Sequence, residues 1–275
     1  MIPVPRRRST LRALALVLAL MAVVGLRLPL PSANAETGSP KPTVVLVHGA
    51  FADASGWGGV IERLHRDGYP VIAPANPLRS LRGDAAYLGS VLDTIPGPVV
   101  LVGHSYGGAV LTNAATGKHN VKALVYIAAF APDEGETVVG IVGSFPGSRL
   151  PLALRLRPFP RPEGGPGFDG YIDSDLFHDV FAGDVPTATA AVMAASQRPA
   201  TVETGIQPTH DPAWKTIPSW FLVARNDHTI PPDAERFMAK RAGSHVVEID
   251  SSHVAMISNP DAAADLIRAA AATIH

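Results

Sequence analysis

The sequence predicts an α/β domain: a mostly parallel sheet of about six strands, helices on both faces, and an inserted helical cap. Three observations predict it. Short β-branched runs bounded by Gly, Pro or polar residues alternate along the chain with segments of helix length. Alternation of this kind builds a parallel sheet buried between helical layers. A single proline-rich stretch breaks the rhythm, and the 275 residues, 47% hydrophobic and 17% charged, suffice to bury a sizeable core.

The expected strands are Thr43–Val47, Val71–Ala73, Val99–Val102, Val121–Ala128, Trp220–Val223 and His245–Ile249. Helices are expected at Gly56–Asp67, Gly83–Thr94, Tyr106–Thr116, Asp233–Ala242 and Pro260–Thr273. The last opens with Asn259 as N-cap and Pro260 at the first helical position, where the missing N–H does no harm. From Pro132 to about Pro218 no buried strand is evident. Residues 144–167 hold six prolines and four arginines, whereas Asp173–Phe181 and Pro186–Ser196 read as short helices. The segment 132–217 is therefore expected to form a cap over the carboxyl edge of the sheet, the alternative being a surface insertion without substrate contact. No internal repeat is found.

Composition removes several classes of function. A net charge of −1 leaves no electrostatic footprint for nucleic acid, and the absence of cysteine excludes disulfides, thiolate catalysis and Cys-ligated metals. No zincin, P-loop or dinucleotide motif stands in its proper context, so no cofactor and no metal are expected.

Residues 1–35 read as an export leader. Arg6, Arg7, Arg8 and Arg12 precede an apolar run, Ala13–Leu26, and the small-residue triplet Ala33-Asn34-Ala35 follows, giving cleavage after Ala35. The run is 14 residues long, short of the roughly 20 that span a bilayer, so no stable membrane anchor is expected after cleavage. Arg7-Arg8-Ser9-Thr10-Leu11-Arg12 resembles a twin-arginine signal, with Thr10 where Phe is usual. Removal of the leader takes five arginines and no acids, leaving 18 basic and 24 acidic residues. A secreted, mildly acidic domain over residues 36–275 is the expectation.

The chemistry starts at Ser105. Val99–Val102 runs into Gly103-His104-Ser105-Tyr106-Gly107-Gly108, a G-x-S-x-G pentapeptide at a strand end that also opens a helix. Such an elbow needs glycine where side chains would strike neighbouring backbone, and it lifts the hydroxyl clear of the sheet at a helix N-terminus. A serine hydroxyl needs an adjacent base, itself oriented by an acid, and in this elbow the chain order is Ser, then acid, then His. Asp227 and His253 follow the last two strands on the same sheet edge and fill those roles. His228 would compete with Asp227 for one loop, Asp250 stands too near its strand to reach across, and His104 should point away. Tyr106 N–H is expected as one oxyanion donor and Ala50 N–H, after Gly49 in the first loop, as the other. Phe51 and Phe130 are expected to line the pocket, and His48 to brace its loop by a hydrogen bond.

These residues resemble the α/β-hydrolase superfamily across nearly the whole chain after the leader. Within it, His48-Gly49-Ala50-Phe51 and Gly103–Gly108 are similar to the small cofactor-free branch of carboxylesterases, plant methylesterases and hydroxynitrile lyases. The resemblance implies a helical cap at residues 132–217. In plant-type lyases the position of Gly49 tends to hold Thr or Asn, and Lys follows the catalytic His, where this chain has Val254. Those differences favour hydrolysis of a small-molecule carboxylic ester through an acyl-enzyme. A lipase or polymer-ester hydrolase, and a non-catalytic binding protein on the same fold, stay open.

Overall fold

Valine-rich runs without polar alternation require burial on both sides, and the fold supplies it. The computed structural model describes residues 40–162 and 164–274; the expected leader, residues 1–35, lies outside them. The first half alternates β1 (Thr43–Val47), α1 (Gly58–Arg66), β2 (Val71–Ile72), α2 (Leu81–Asp93), β3 (Val99–Ser105), α3 (Tyr106–Ala114) and β4 (Val121–Ala129). An insertion follows, with α4 (Val138–Ser144), α5 (Leu150–Ala153), β5 (Leu154–Pro160), β6 (Pro166–Ile172), α6 (Phe177–Phe181), α7 (Thr187–Ser196), β7 (Ala200–Thr201) and α8 (Val202–Ile206). The chain then returns through β8 (Ser219–Ala224), α9 (Pro232–Arg241), β9 (His245–Ile249), α10 (Ala255–Ser258) and α11 (Pro260–Ala271).

The main sheet has the order β2-β1-β3-β4-β8-β9, with every pair parallel. Side chains along each strand alternate between its two faces. Thus Val45, Val47, Leu101, Leu124, Phe221 and Val223 join the core beneath α2, α3 and α9, whereas Val44, Leu46, Val102, Val125 and Leu222 join the core beneath α1 and α11. Because all strands run the same way, their carboxyl ends share one edge, where parallel sheets hold ligands. Asn259 occupies the N-cap position of α11 without capping it through its side chain, and its amide donates to Ser258 Oγ instead.

The insertion differs from the purely helical expectation. Its short helices are present, but β5 and β6 form an antiparallel hairpin, extended by β7 through the pairs Asp169–Thr201 and Gly170–Ala200. Most of β5 is exposed, and an edge strand tolerates Pro158 and Pro160 because their missing N–H groups interrupt no inner ladder. Thr201 ties this sheet to the body: its N–H donates to Leu78 O at 3.1 Å, and its hydroxyl donates to Arg79 O. A third apolar cluster, including Phe177, Phe181 and Val185, joins the insertion to Phe51 and Val254 of the main domain.

Candidate active site

Ser105 ends β3 and is followed at once by α3, so a strand becomes a helix across one peptide bond. Its φ of 53° lies in the left-handed region, which a non-glycine residue rarely occupies and which marks local strain. The turn closes only because position 107 lacks a side chain: a Cβ there would stand 2.4 Å from Val47 O. Gly49 serves the facing loop in the same way, since a Cβ on it would come 2.6 Å from Ser105 Cβ. The loop after β1 therefore lies directly against the serine. Phe51 in that loop also has positive φ, at 59°.

Asp227, in the loop after β8, and His253, after β9, meet within the protein. His253 Nδ1 is 2.5 Å from Asp227 Oδ2, and both side chains are wholly buried. Asp227 Oδ1 accepts the N–H groups of Thr229 at 2.6 Å and Ile230 at 2.9 Å. A carboxylate acceptor places the imidazole proton on Nδ1, leaving a lone pair on Nε2. Nε2 is buried and has no hydrogen-bond partner among the described residues.

His104 takes a different place from the one expected. Rather than pointing away, its ring lies against that of His253, with centroids 4.7 Å apart, and Nε2–H donates to His253 O at 3.0 Å. The residue before Ser105 thus fixes the backbone of His253. Burial holds the His104 imidazole well below the usual histidine range, with the neighbouring His253 as a lesser contribution. His48 braces its own loop: Nδ1–H donates to Gly49 O at 2.9 Å, and Nε2 accepts Asn76 N–H at 2.9 Å. Its titration is likewise shifted down by burial. His228 donates from Nδ1 to Asp179 O, and Asp250 is exposed beside Arg225, so neither enters the cluster.

Two contacts had no clear signal in the sequence. Asp184, between α6 and α7, grips the loop ahead of His253: Oδ2 accepts Ser252 N–H at 2.8 Å and Ser251 Oγ–H at 2.9 Å, and Oδ1 accepts Ser252 Oγ–H. The insertion therefore helps hold the histidine loop, and Phe181 of α6 lies against the His253 ring at 4.9 Å. On the other side, Tyr106 Oη donates to Asp84 Oδ2 at 2.8 Å. Burial raises the titration of both Asp84 and Tyr106, and this bond pins the phenol.

A cavity of about 600 Å³ opens at Ser105. Ala50, Phe51, Tyr106 and Phe130 line it, and the insertion adds apolar walls that include Val142, Phe145, Leu150 and Leu154. Asp227 and His253 lie outside this lining. Among the described residues, no lining side chain is charged. Apart from Ser105, each lining hydroxyl already donates inward: Tyr106 to Asp84, Ser148 to Thr229 O, Thr201 to Arg79 O, Thr204 to Thr201 O, and Thr229 to Val180 O. Among the described residues, no group of three His, Asp or Glu side chains is placed to hold a metal ion, and no helix is long and apolar enough to cross a membrane.

A parallel sheet with a strained serine between strand and helix, and a His–Asp pair on the same edge, defines the hydrolase class. The model of the alpha/beta hydrolase family matches residues 44–266, and the chain belongs to that family. It is 27% identical to alpha/beta hydrolase nvfD of Aspergillus novofumigatus over 254 residues, covering 84% of this chain and 97% of that protein. It is also 27% identical to a pyrethroid hydrolase of Sphingobium wenxiniae over 243 residues, covering 82% and 85%. The solved structure of polyneuridine aldehyde esterase shares the fold with a TM-score of 0.73 at 20% identity, covering 83% of this chain and 98% of that one.

The two depressed histidines set a pH dependence. A base whose folded pKa lies below its unfolded value adds stability that is complete above the unfolded value and is lost as pH falls. Because the buried carboxyls Asp84 and Glu235 shift the opposite way, the parent is compared with a variant: the Tm of the parent minus that of His104→Asn, which has no imidazole to protonate, should shrink as pH falls below about 6.5. A difference that stays constant from about pH 7.5 to 5.5 would contradict the lowered titration of His104.

Proposed function

We propose that the protein is an exported serine hydrolase that cleaves neutral, apolar carboxylic esters through an acyl-enzyme. One observation supports this reading most: the buried His253 imidazole has its Nδ1 on Asp227 and an unpartnered Nε2, in a loop bonded to the residue next to Ser105. In the proposed mechanism His253 Nε2 takes the Ser105 proton as the hydroxyl oxygen attacks the ester carbonyl. The oxyanion is held by Tyr106 N–H, free of an intrahelical acceptor in the first turn of α3, and by Ala50 N–H across the loop. The imidazolium then protonates the departing alcohol. Water, deprotonated by the same nitrogen, attacks the acyl carbon, and the proton returns to Ser105 as the acid leaves. Asp227 holds the ring and balances its transient charge.

Two relatives have names that state what they hydrolyse, a pyrethroid hydrolase and a carbendazim hydrolyzing esterase of Nocardioides, and this supports ester or ester-like substrates. The uncharged cavity argues against a lyase, since no cationic side chain among its lining residues could stabilise a departing cyanide. Val254, after His253, is buried and apolar.

Ser105→Ala should lower kcat by on the order of 10⁴-fold or more while leaving the thermal melt of the parent. Hydrolysis of a short p-nitrophenyl ester at the parent rate by the purified variant would overturn the assignment.

Substrate charge gives a second measurement. Placing an unpaired carboxylate in the cavity costs several kcal/mol, so p-nitrophenyl hexanoate should exceed a chain-matched ester bearing a terminal carboxylate by at least about 100-fold in kcat/KM. Equal values would show that the apolar walls do not select.

Export is the remaining part of the proposal. Intact mass of protein recovered from outside the producing cell should correspond to a chain beginning at Glu36, and a mass retaining residues 1–35 would contradict cleavage after Ala35.

A further inference from the structure

Glu235 is a buried carboxyl that the mechanism above leaves unused. It sits in the first turn of α9, shielded completely from solvent. A single main-chain donor reaches it: Ala224 N–H bonds to Oε2 at 3.1 Å. Oε1 is buried and meets no hydrogen-bond partner among the described residues. Asp227 is fastened to Ala224 as well, its N–H donating to Ala224 O at 3.2 Å, and its carboxylate is the charged neighbour of Glu235. Two neighbouring carboxylates shielded from water strongly disfavour a second charge, which places a proton on one of them.

The donors decide which one. Asp227 accepts three N–H groups, from Thr229, Ile230 and His253, whereas Glu235 accepts one. Each such bond favours the ionised form, so the charge rests on Asp227 and the proton on Glu235. We propose that Glu235 is a positioning residue whose Oε1–H donates to Asp227, fixing the carboxylate plane so that Oδ2 faces His253 Nδ1. The consequence for turnover rests on the Ser105–His253–Asp227 reading above; the location of the proton does not.

The surroundings agree. Burial first, and the charge of Asp227 second, push the Glu235 carboxyl well above the usual range. Arg236 on the same helix acts in the opposite sense, but its guanidinium is engaged at the surface by Glu248 and Asp233. From β8, Glu235 receives only the Ala224 main chain.

Two experiments on the purified protein test this. A carboxyl whose folded pKa is raised contributes stability that is complete below its unfolded value and is lost as pH rises through the folded value. Glutamine has no such loss, so the Tm of Glu235→Gln minus that of the parent should widen steadily from pH 5 to 8. A constant difference would mean that Glu235 is ionised in the fold and would overturn the proposal. In the second, Glu235→Leu should lose on the order of tenfold in kcat with KM near the parent value, and Glu235→Gln, which still donates, should recover most of that loss. A parent-like kcat in Glu235→Leu, or equal impairment in both variants, would overturn the positioning role. Should Glu235→Leu fail to fold, the infrared carbonyl stretch of a protonated carboxylic acid at pH 7, present in the parent and missing in Glu235→Gln, decides the matter; its absence from the parent refutes the proposal. If Ser105→Ala stays active, the ester-hydrolase reading fails, while the Tm series and the infrared band still report on Glu235.

Discussion

A single buried negative charge organises the site. Asp227 lies out of contact with water, where an uncompensated carboxylate would cost several kcal/mol, and its acceptor positions are met by Thr229 N–H, Ile230 N–H and His253 Nδ1–H. Each donor fixes a piece of structure. The two amides define the turn that leads into α9, and the imidazole fixes how the loop after β9 folds back. The loop is fastened again by His104 Nε2–H on its carbonyl and by Asp184 on Ser251 and Ser252. The tautomer of His253, and with it the basic character of Nε2, follows from where this one charge sits.

The serine reaches the same edge by a steric route. β3 is buried along its whole length and enters α3 without an intervening loop, so the chain must turn within one residue. That turn brings residue 107 onto the carbonyl end of β1, at a distance that only a missing Cβ allows. The strain at Ser105 is held in place by the sheet on one side and by α3, packed against α2, on the other. The Asp84–Tyr106 bond adds a polar fastening within that packing.

Much of this was legible in the sequence because the main sheet follows local rules. Runs such as Val99–Val102 can be satisfied only by burial on two faces, and helices such as Pro260–Ala271 announce themselves by a first-turn proline and an apolar stripe. Strand β3 extended three residues beyond the apolar run, since Gly103, His104 and Ser105 continue its pairing with β4 despite weak strand propensity. The insertion obeyed other constraints. In β5, Leu154-Arg155-Leu156-Arg157 alternates with period two, but Pro158 and Pro160 masked the strand, and its pairing depends on Pro166–Ile172. The roles of Asp184, His104 and Glu235 were illegible for a different reason: each acts through a contact between residues far apart in sequence, and no spacing rule predicts such contacts.

Charge explains why so many titratable groups crowd this edge without destabilising it. Burial shifts the titration of His48 and His104 down and that of Asp84 and Glu235 up, in each case towards the neutral form. Asp227, with three N–H donors, is then the carboxylate best equipped to stay ionised. In the proposed mechanism the proton taken up by His253 makes an ion pair with a carboxylate already held in position, so little reorganisation accompanies the new charge. The lowered titration of His104, 4.7 Å away ring to ring, suits the proposed mechanism, because a second imidazolium there would oppose one on His253. The cavity suits the same proposal: among the described residues its lining is uncharged, and apolar walls strengthen N–H donors that face a developing oxyanion.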